Sequence, residues 1–150
     1  MERIFLDANV YIIGFEFKET NSALLLNQIE RQNLIVTQSD YLYDEVIEYF
    51  RRKEGKDMVG KIRKYLLTIP NNEYVDKYVW SLFIRDYEDL VGDIDDLPHI
   101  CSYFANNCDF FITANHRLTK QKIGKKVNFV NPKQLVEYLG LTPYDTANGI

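Results

Sequence analysis

Four short apolar runs set the rhythm of this chain. Arg3-Ile4-Phe5-Leu6, Leu34-Ile35-Val36-Thr37, Asp109-Phe110-Phe111-Ile112-Thr113 and Lys126-Val127-Asn128-Phe129-Val130 are each too short for a helix. Each is apolar enough to be a buried strand. Between them the spacing of apolar residues turns helical. Helices are predicted at about 8–15, 20–32, 40–53, 57–68, 74–87 and 97–107, with a last one at about 132–139. The clearest has Leu42, Val46, Tyr49 and Phe50 at i, i+4, i+7 and i+8, an unbroken stripe. Ser39 stands ahead of it as an N-cap type and Gly55 ends it. Pro98 falls in the first turn of the 97–107 helix, where a missing N–H costs nothing. Strands joined through helices pair in parallel by right-handed crossovers, so the expected class is α/β, a central parallel sheet with helices on both faces.

Size and composition agree with one folded unit. A chain of 150 residues, 46% hydrophobic, buries enough surface to fold without a disulfide or a structural metal. Any metal here is therefore expected to serve chemistry. Cys101 and Cys108, the two cysteines, lie in no CxxC pair and read as buried small hydrophobes on one helical face. No apolar run approaches the ~20 residues of a membrane helix, and the start MERIFLDANVY does not resemble a signal peptide. The expectation is a cytoplasmic protein with no membrane partner, a domain over 1–140 and a fraying tail over 141–150.

Charge is unevenly spread. The net charge is −4, which argues against a nonspecific nucleic-acid coat. Yet Arg51 to Lys64 carries seven basic residues and Arg117 to Lys126 carries five, opposed there only by Glu54 and Asp57. These stretches sum to +10 against −14 for the rest of the chain. They read either as solvated faces or as a phosphate-contacting rim.

The carboxylates fall where such a fold binds ligands, at the carboxyl ends of strands. Asp7 ends the first run, with a capping role or a site role both open. Glu45 sits one residue off its helix's apolar stripe. Asp93, Asp95 and Asp96 compete for one N-cap ahead of the 97–107 helix, and Asn115 follows the third run as a neutral oxygen donor or a turn residue. Gathered at one sheet edge, three acids repel one another unless cations fill the site, and oxygen-only ligands select Mg²⁺ or Mn²⁺. Such a site suits phosphodiester hydrolysis. The only histidines, His99 and His116, read as polar residues without a catalytic role. Tyr11, Phe15 and Phe17 read as core or a dimer surface, or alternatively as rings that stack on unpaired bases, and Thr113 as a residue able to hold a carboxylate or water.

Four strings, taken in order, resemble the PIN domain family. They are Phe5-Leu6-Asp7-Ala8-Asn9-Val10-Tyr11-Ile12, Thr37-Gln38-Ser39-Asp40-Tyr41-Leu42-Tyr43-Asp44-Glu45-Val46, Asp93-Ile94-Asp95-Asp96-Leu97-Pro98-His99-Ile100, and Asn107-Cys108-Asp109-Phe110-Phe111-Ile112-Thr113-Ala114-Asn115. The resemblance spans roughly residues 2–139. It implies a three-layer α/β/α sandwich carrying a metal-dependent ribonuclease site, often in toxins paired with an antitoxin. Position by position it makes Asp7, Glu45 and Asp96 the metal-binding carboxylates. Asp93 and Asp95 are alternatives for the third position; Asp96 is preferred because Pro98 matches the variant of the motif that carries proline. Asn115 stands where an acid often lies, which removes one negative charge.

The expected function is hydrolysis of RNA by an endoribonuclease in which Asp7, Glu45, Asp96 and Asn115 hold Mg²⁺ or Mn²⁺. RNA is the expected substrate, with an antitoxin protein or a second copy of the chain as candidate partners. The rival is a catalytically silent module of the same fold that binds RNA or a protein.

Overall fold

In the computed structural model, which describes residues 1–150, the elements follow the expected alternation with one addition. They are β1 (Arg3–Leu6), α1 (Ala8–Glu16), α2 (Asn21–Glu30), β2 (Ile35–Ser39), α3 (Asp40–Glu54), α4 (Lys56–Thr68) and β3 (Asn72–Val75). Then come α5 (Lys77–Trp80), α6 (Ile84–Tyr87), α7 (Leu97–Ala105), β4 (Phe110–Ile112), α8 (His116–Lys120), β5 (Phe129–Val130) and α9 (Pro132–Tyr138). All strand pairs are parallel, in the order β3-β2-β1-β4-β5. With helices on both faces this is a three-layer α/β/α sandwich, PIN-like in architecture.

The apolar runs explain the sheet. Ile4, Phe5 and Leu6 of β1 are fully buried, as are Val36 of β2 and Phe111 and Ile112 of β4. Strands covered on both faces read as continuous apolar runs rather than alternating ones. The Phe5 ring packs on Phe111, with centroids 5.0 Å apart, and on His99 of α7 at 5.2 Å. In the other layer α1 packs on α2, α2 on α9, and α3 on α4.

Residues 72–75, inside a stretch expected to be loop and then helix, form the fifth strand instead. β3 is an edge strand, in register with β2 from Val36 opposite Asn72 to Ser39 opposite Val75. Its conformation comes from that pairing, and only Val75 among its residues is buried. The single helix expected over 74–87 is accordingly broken into α5, a 3-10 turn at Ser81–Phe83, and α6. Their apolar side chains serve a small second core of Val75, Trp80, Leu97 and Cys101.

Two further expectations change. Cys101 and Cys108 do not share a helical face: α7 ends at Ala105, Asn107 takes a left-handed φ of 49°, and Cys108 is half-buried with its thiol against the Thr37 hydroxyl. The residues beyond Gly140, expected to fray, pack back onto α2. The buried Asn21 amide accepts from the Tyr144 N–H at 2.8 Å and donates to the Tyr144 carbonyl at 3.0 Å, and the Ser22 N–H donates to the Ile150 carbonyl. Polar groups on α2 that need partners are satisfied by the tail.

In this strand order the direction of winding reverses between β1 and β4. That is the switch point at which open parallel sheets hold ligands, and Asp7 and Thr113 stand there, one residue beyond β1 and β4 respectively.

Candidate active site

Asp7 leaves β1 and caps α1, so both of its sequence readings meet in one side chain. One carboxylate oxygen accepts from the Ala8 N–H at 2.8 Å and the other from the Thr113 hydroxyl at 2.7 Å. The residue is buried. Burial raises its pKa against the pull of His99 and of the Thr113 bond, while the neighbouring charge of Glu45 adds to the rise.

Asp96 occupies the N-cap position of α7, yet its side chain makes no capping hydrogen bond. Asp93 instead accepts from the Asp95 N–H. The capping competition read in the sequence therefore leaves the Asp96 carboxylate uncommitted. Partial burial, then the charges of Asp7 and Asp93, push its pKa up to about 6. A carboxylate raised by burial and by neighbouring carboxylates is one whose charged form a cation would favour.

Glu45 is presented by α3, which Ser39 caps through the Leu42 N–H at 3.0 Å. Its Oε1 lies 2.7 Å from Nε2 of His99, whose imidazole is only 2% exposed and sits between the Phe5 and Tyr41 rings. Burial alone would lower the imidazole pKa. The bond to Glu45 and the charges of Asp7, Glu45 and Asp96 outweigh it, and the net shift is upward. His99, read from the sequence as having no role, is thus a central member of the cluster. One signal for it was available: three positions after Asp96, it shares that residue's side of the helix start.

Asn115 caps α8, its carbonyl oxygen accepting from the Arg117 N–H at 3.0 Å, while its own N–H donates to Thr113. The turn reading of this residue describes its geometry. It also lines two cavities. One, of about 230 Å³, brings Asp93, Asp96 and Asn115 together with Arg117 and Gln121. Glu45 faces a different one, of about 440 Å³, alongside Tyr41, Arg51 and Arg63. Each basic stretch therefore delivers at least one arginine beside a candidate carboxylate, Arg51 and Arg63 from the first and Arg117 from the second. Arg51 is paired with Glu48, whereas Arg63 and Arg117 make no ion pair.

The expected four-residue metal set is not gathered as such. No group of three His, Cys, Asp or Glu side chains is arranged to hold an ion; Glu45 Oε1 is bonded to His99 and the Asn115 carbonyl caps α8. The donor chemistry of a smaller set suits a hard cation: Asp7 and Asp96 are oxygen donors, the charge of Asp7 raises the Asp96 pKa, and Mg²⁺ is commonly held by only one or two carboxylates with water and phosphate completing the shell.

The aromatic residues after Asp7 divide. Tyr11 is fully buried, its hydroxyl accepting from Gln38, and Phe15 packs edge-on against Tyr65. Phe17 alone stays exposed, at 57%. No helix of the chain is long and apolar enough to cross a membrane.

No family model and no curated protein matches the sequence. Solved structures do match in fold. VapBC2 from Rickettsia felis, bound to a DNA fragment from their promoter, aligns at 15% identity with a TM-score of 0.61, covering 86% of this chain and 98% of that one. VapBC-1 from nontypeable Haemophilus influenzae aligns at 16% identity and TM-score 0.62, covering 87% and 98%. FitAB bound to an IR36 DNA fragment aligns at 13% and 0.57, covering 86% and 94%. At these identities the likeness is one of fold, and the fold is PIN-like.

Proposed function

We propose that this protein is a metal-dependent endoribonuclease that hydrolyses RNA phosphodiester bonds in the cytoplasm and acts as the toxin of a toxin–antitoxin pair. The observation that carries the reading is the meeting of Asp7, Asp96 and the Glu45–His99 pair at the sheet's switch point, within one another's electrostatic field. Asp7 and Asp96 are the residues that would hold Mg²⁺ or Mn²⁺. Such an ion, when bound, polarises a phosphoryl oxygen and acidifies a water.

The chain's own groups supply the rest. Thr113 fixes the Asp7 carboxylate, and His99 fixes that of Glu45. Held this way, Glu45 is positioned to accept a proton from a water at the cleft. Arg63 and Arg117, unpaired and exposed beside the carboxylates, hold the RNA backbone on either side. The likeness to the two-component VapBC and FitAB assemblies supports an antitoxin partner.

The test is cleavage of a panel of single-stranded and structured RNAs with Mn²⁺, Mg²⁺ or chelator, wild type beside Asp96→Asn. Cleavage that requires metal and disappears in the variant is expected. One observation favours a second reading, a silent RNA- or protein-binding module: no group of three His, Cys, Asp or Glu side chains is arranged to hold an ion. Thermal stabilisation by Mn²⁺ separates the two, since only a working site gains stability by linkage.

A further inference from the structure

A cavity of about 460 Å³ opens at the carboxyl ends of β4 and β5, within the range of small-molecule sites. It shares Asn115 with the smaller cavity that contains Asp96, so this one residue borders both. The two cavities differ in chemistry. The smaller holds Asp93, Asp96 and Arg117, whereas none of the residues lining the larger is Asp, Glu, Lys or Arg. With no charged side chain in its lining, it suits a neutral heterocycle better than a metal ion.

The side-chain amides around this cavity are oriented by the backbone. The Asn115 carbonyl accepts from Arg117 N–H, the Asn131 carbonyl from Gln134 N–H, and the Gln134 carbonyl from Asn131 N–H. A backbone N–H can only donate, so each amide must turn its oxygen toward it. The NH₂ group is then the uncommitted end of all three. Asn128 borders the cavity, but its side chain turns away, its NH₂ donating to the Asp109 carbonyl at the amino end of β4. Phe129 and Val127 add an apolar surface, and His116 a ring on which a base can stack.

We propose that this cavity is a base-recognition subsite taking one unpaired uracil, the base with two exocyclic carbonyls and no exocyclic amino group, beside the place for a phosphate at Asp96 and Arg117. The NH₂ donors match the two carbonyl oxygens of uracil. Adenine, cytosine and guanine each present an exocyclic amino group, which would face another NH₂ and leave both unpaired. The subsite rests on the ribonuclease reading for its place beside the scissile phosphate, but base binding itself needs no catalysis.

The experiment follows the side-chain NH₂ resonances of Asn115, Asn131 and Gln134 by NMR as UMP, GMP, CMP or AMP is added to the full chain in chelator. The same RNA panel is then cleaved by wild type and Gln134→Glu. Glutamate keeps an oxygen for the Asn131 N–H and preserves the cap, but replaces the donor with a carboxylate. Expected are shifts with UMP, much weaker ones with GMP, CMP and AMP, and about tenfold weaker UMP binding in Gln134→Glu at unchanged melting temperature. Shifts in the absence of any RNA cleavage would support the subsite while removing the ribonuclease reading. Metal-dependent cleavage with no NH₂ shift for any nucleotide, or equal shifts for all four, would overturn the subsite and leave the ribonuclease standing. Absence of both cleavage and shifts overturns the two together.

Discussion

Oε1 of Glu45 and Nε2 of His99 lie 2.7 Å apart although 54 positions separate them in the chain. The contact joins α3 to α7, and the two sides are unequal: the imidazole is 2% exposed and the carboxylate 38%. A buried ring therefore holds a partly solvated acid at the cleft, and the orientation of Glu45 is set from inside the core.

Removing that ring is expected to act on stability and on cleavage separately. His99→Ala should cost about 2–4 kcal/mol, because it leaves a hole between Phe5 and Tyr41 as well as an unheld carboxylate. His99→Gln keeps a donor toward Glu45 and should recover part of the activity. Because the folded imidazole pKa is raised, its charge-linked stability is fully present below the ordinary histidine value near 6.5 and is lost as pH rises through the folded value. Urea denaturation of wild type and His99→Gln between about pH 5.5 and 8.5 checks this: the wild-type advantage should shrink as pH rises.

Asp96→Asn should abolish metal-dependent cleavage while making the metal-free protein more stable. The Asp96 carboxyl is raised to about 6 by burial and by Asp7 and Asp93, so its ionisation at neutral pH works against folding. The favourable contribution is present below the ordinary carboxylate value and lost as pH rises through about 6. Discounted for solvent screening of a half-exposed group, the variant should gain about 1 kcal/mol at pH 7 in chelator, vanishing below about pH 4. Equal stability at pH 7 would contradict this assignment of charge repulsion.

The arginines beside the carboxylates should contribute to RNA affinity mainly through phosphate contacts. Arg63→Glu and Arg117→Glu are each expected to weaken binding uniformly across sequences. Each should also reduce the slope of log affinity against log salt by about one. Fluorescence titrations of a labelled RNA in chelator, repeated over a range of salt, read both effects. A reversal at Lys56 or Lys125, exposed members of the same stretches that line none of these cavities, is expected to have less effect.

The contact of Asn21 with the last residues should be structural. Asn21→Ala removes a buried amide paired to both the N–H and the carbonyl of Tyr144, an expected cost of about 1–3 kcal/mol. Thermal melting reads the loss. Limited proteolysis should then cut beyond Gly140 in the variant before it does so in wild type.

Much of the molecule is legible from neighbouring residues alone. Strands β1, β2, β4 and β5, the α3 stripe, the Ser39 cap and the placement of Pro98 follow from apolar spacing and backbone hydrogen bonding over four or five positions, which every sequence displays directly. So does the location of Asp7, Asp96 and Asn115 at element ends and of Glu45 beside the α3 stripe. β3 was hidden because Asn72-Glu73-Tyr74-Val75 has no apolar run of its own; its extended form comes from pairing with β2, more than thirty residues earlier.

What only the tertiary structure decided is which of those polar groups meet. Asp7 both caps and faces the site, Asp96 does not cap, and Asn115 turns its oxygen to a helix. Glu45 is claimed by a histidine that sequence reading had set aside. These choices depend on the packing of α3 and α7 around β1 and on burial that changes the cost of each charge. The sequence by itself determined the elements and the sheet edge they share, because backbone bonding and apolar periodicity are local. The pairing of side chains across that edge is a long-range outcome of packing.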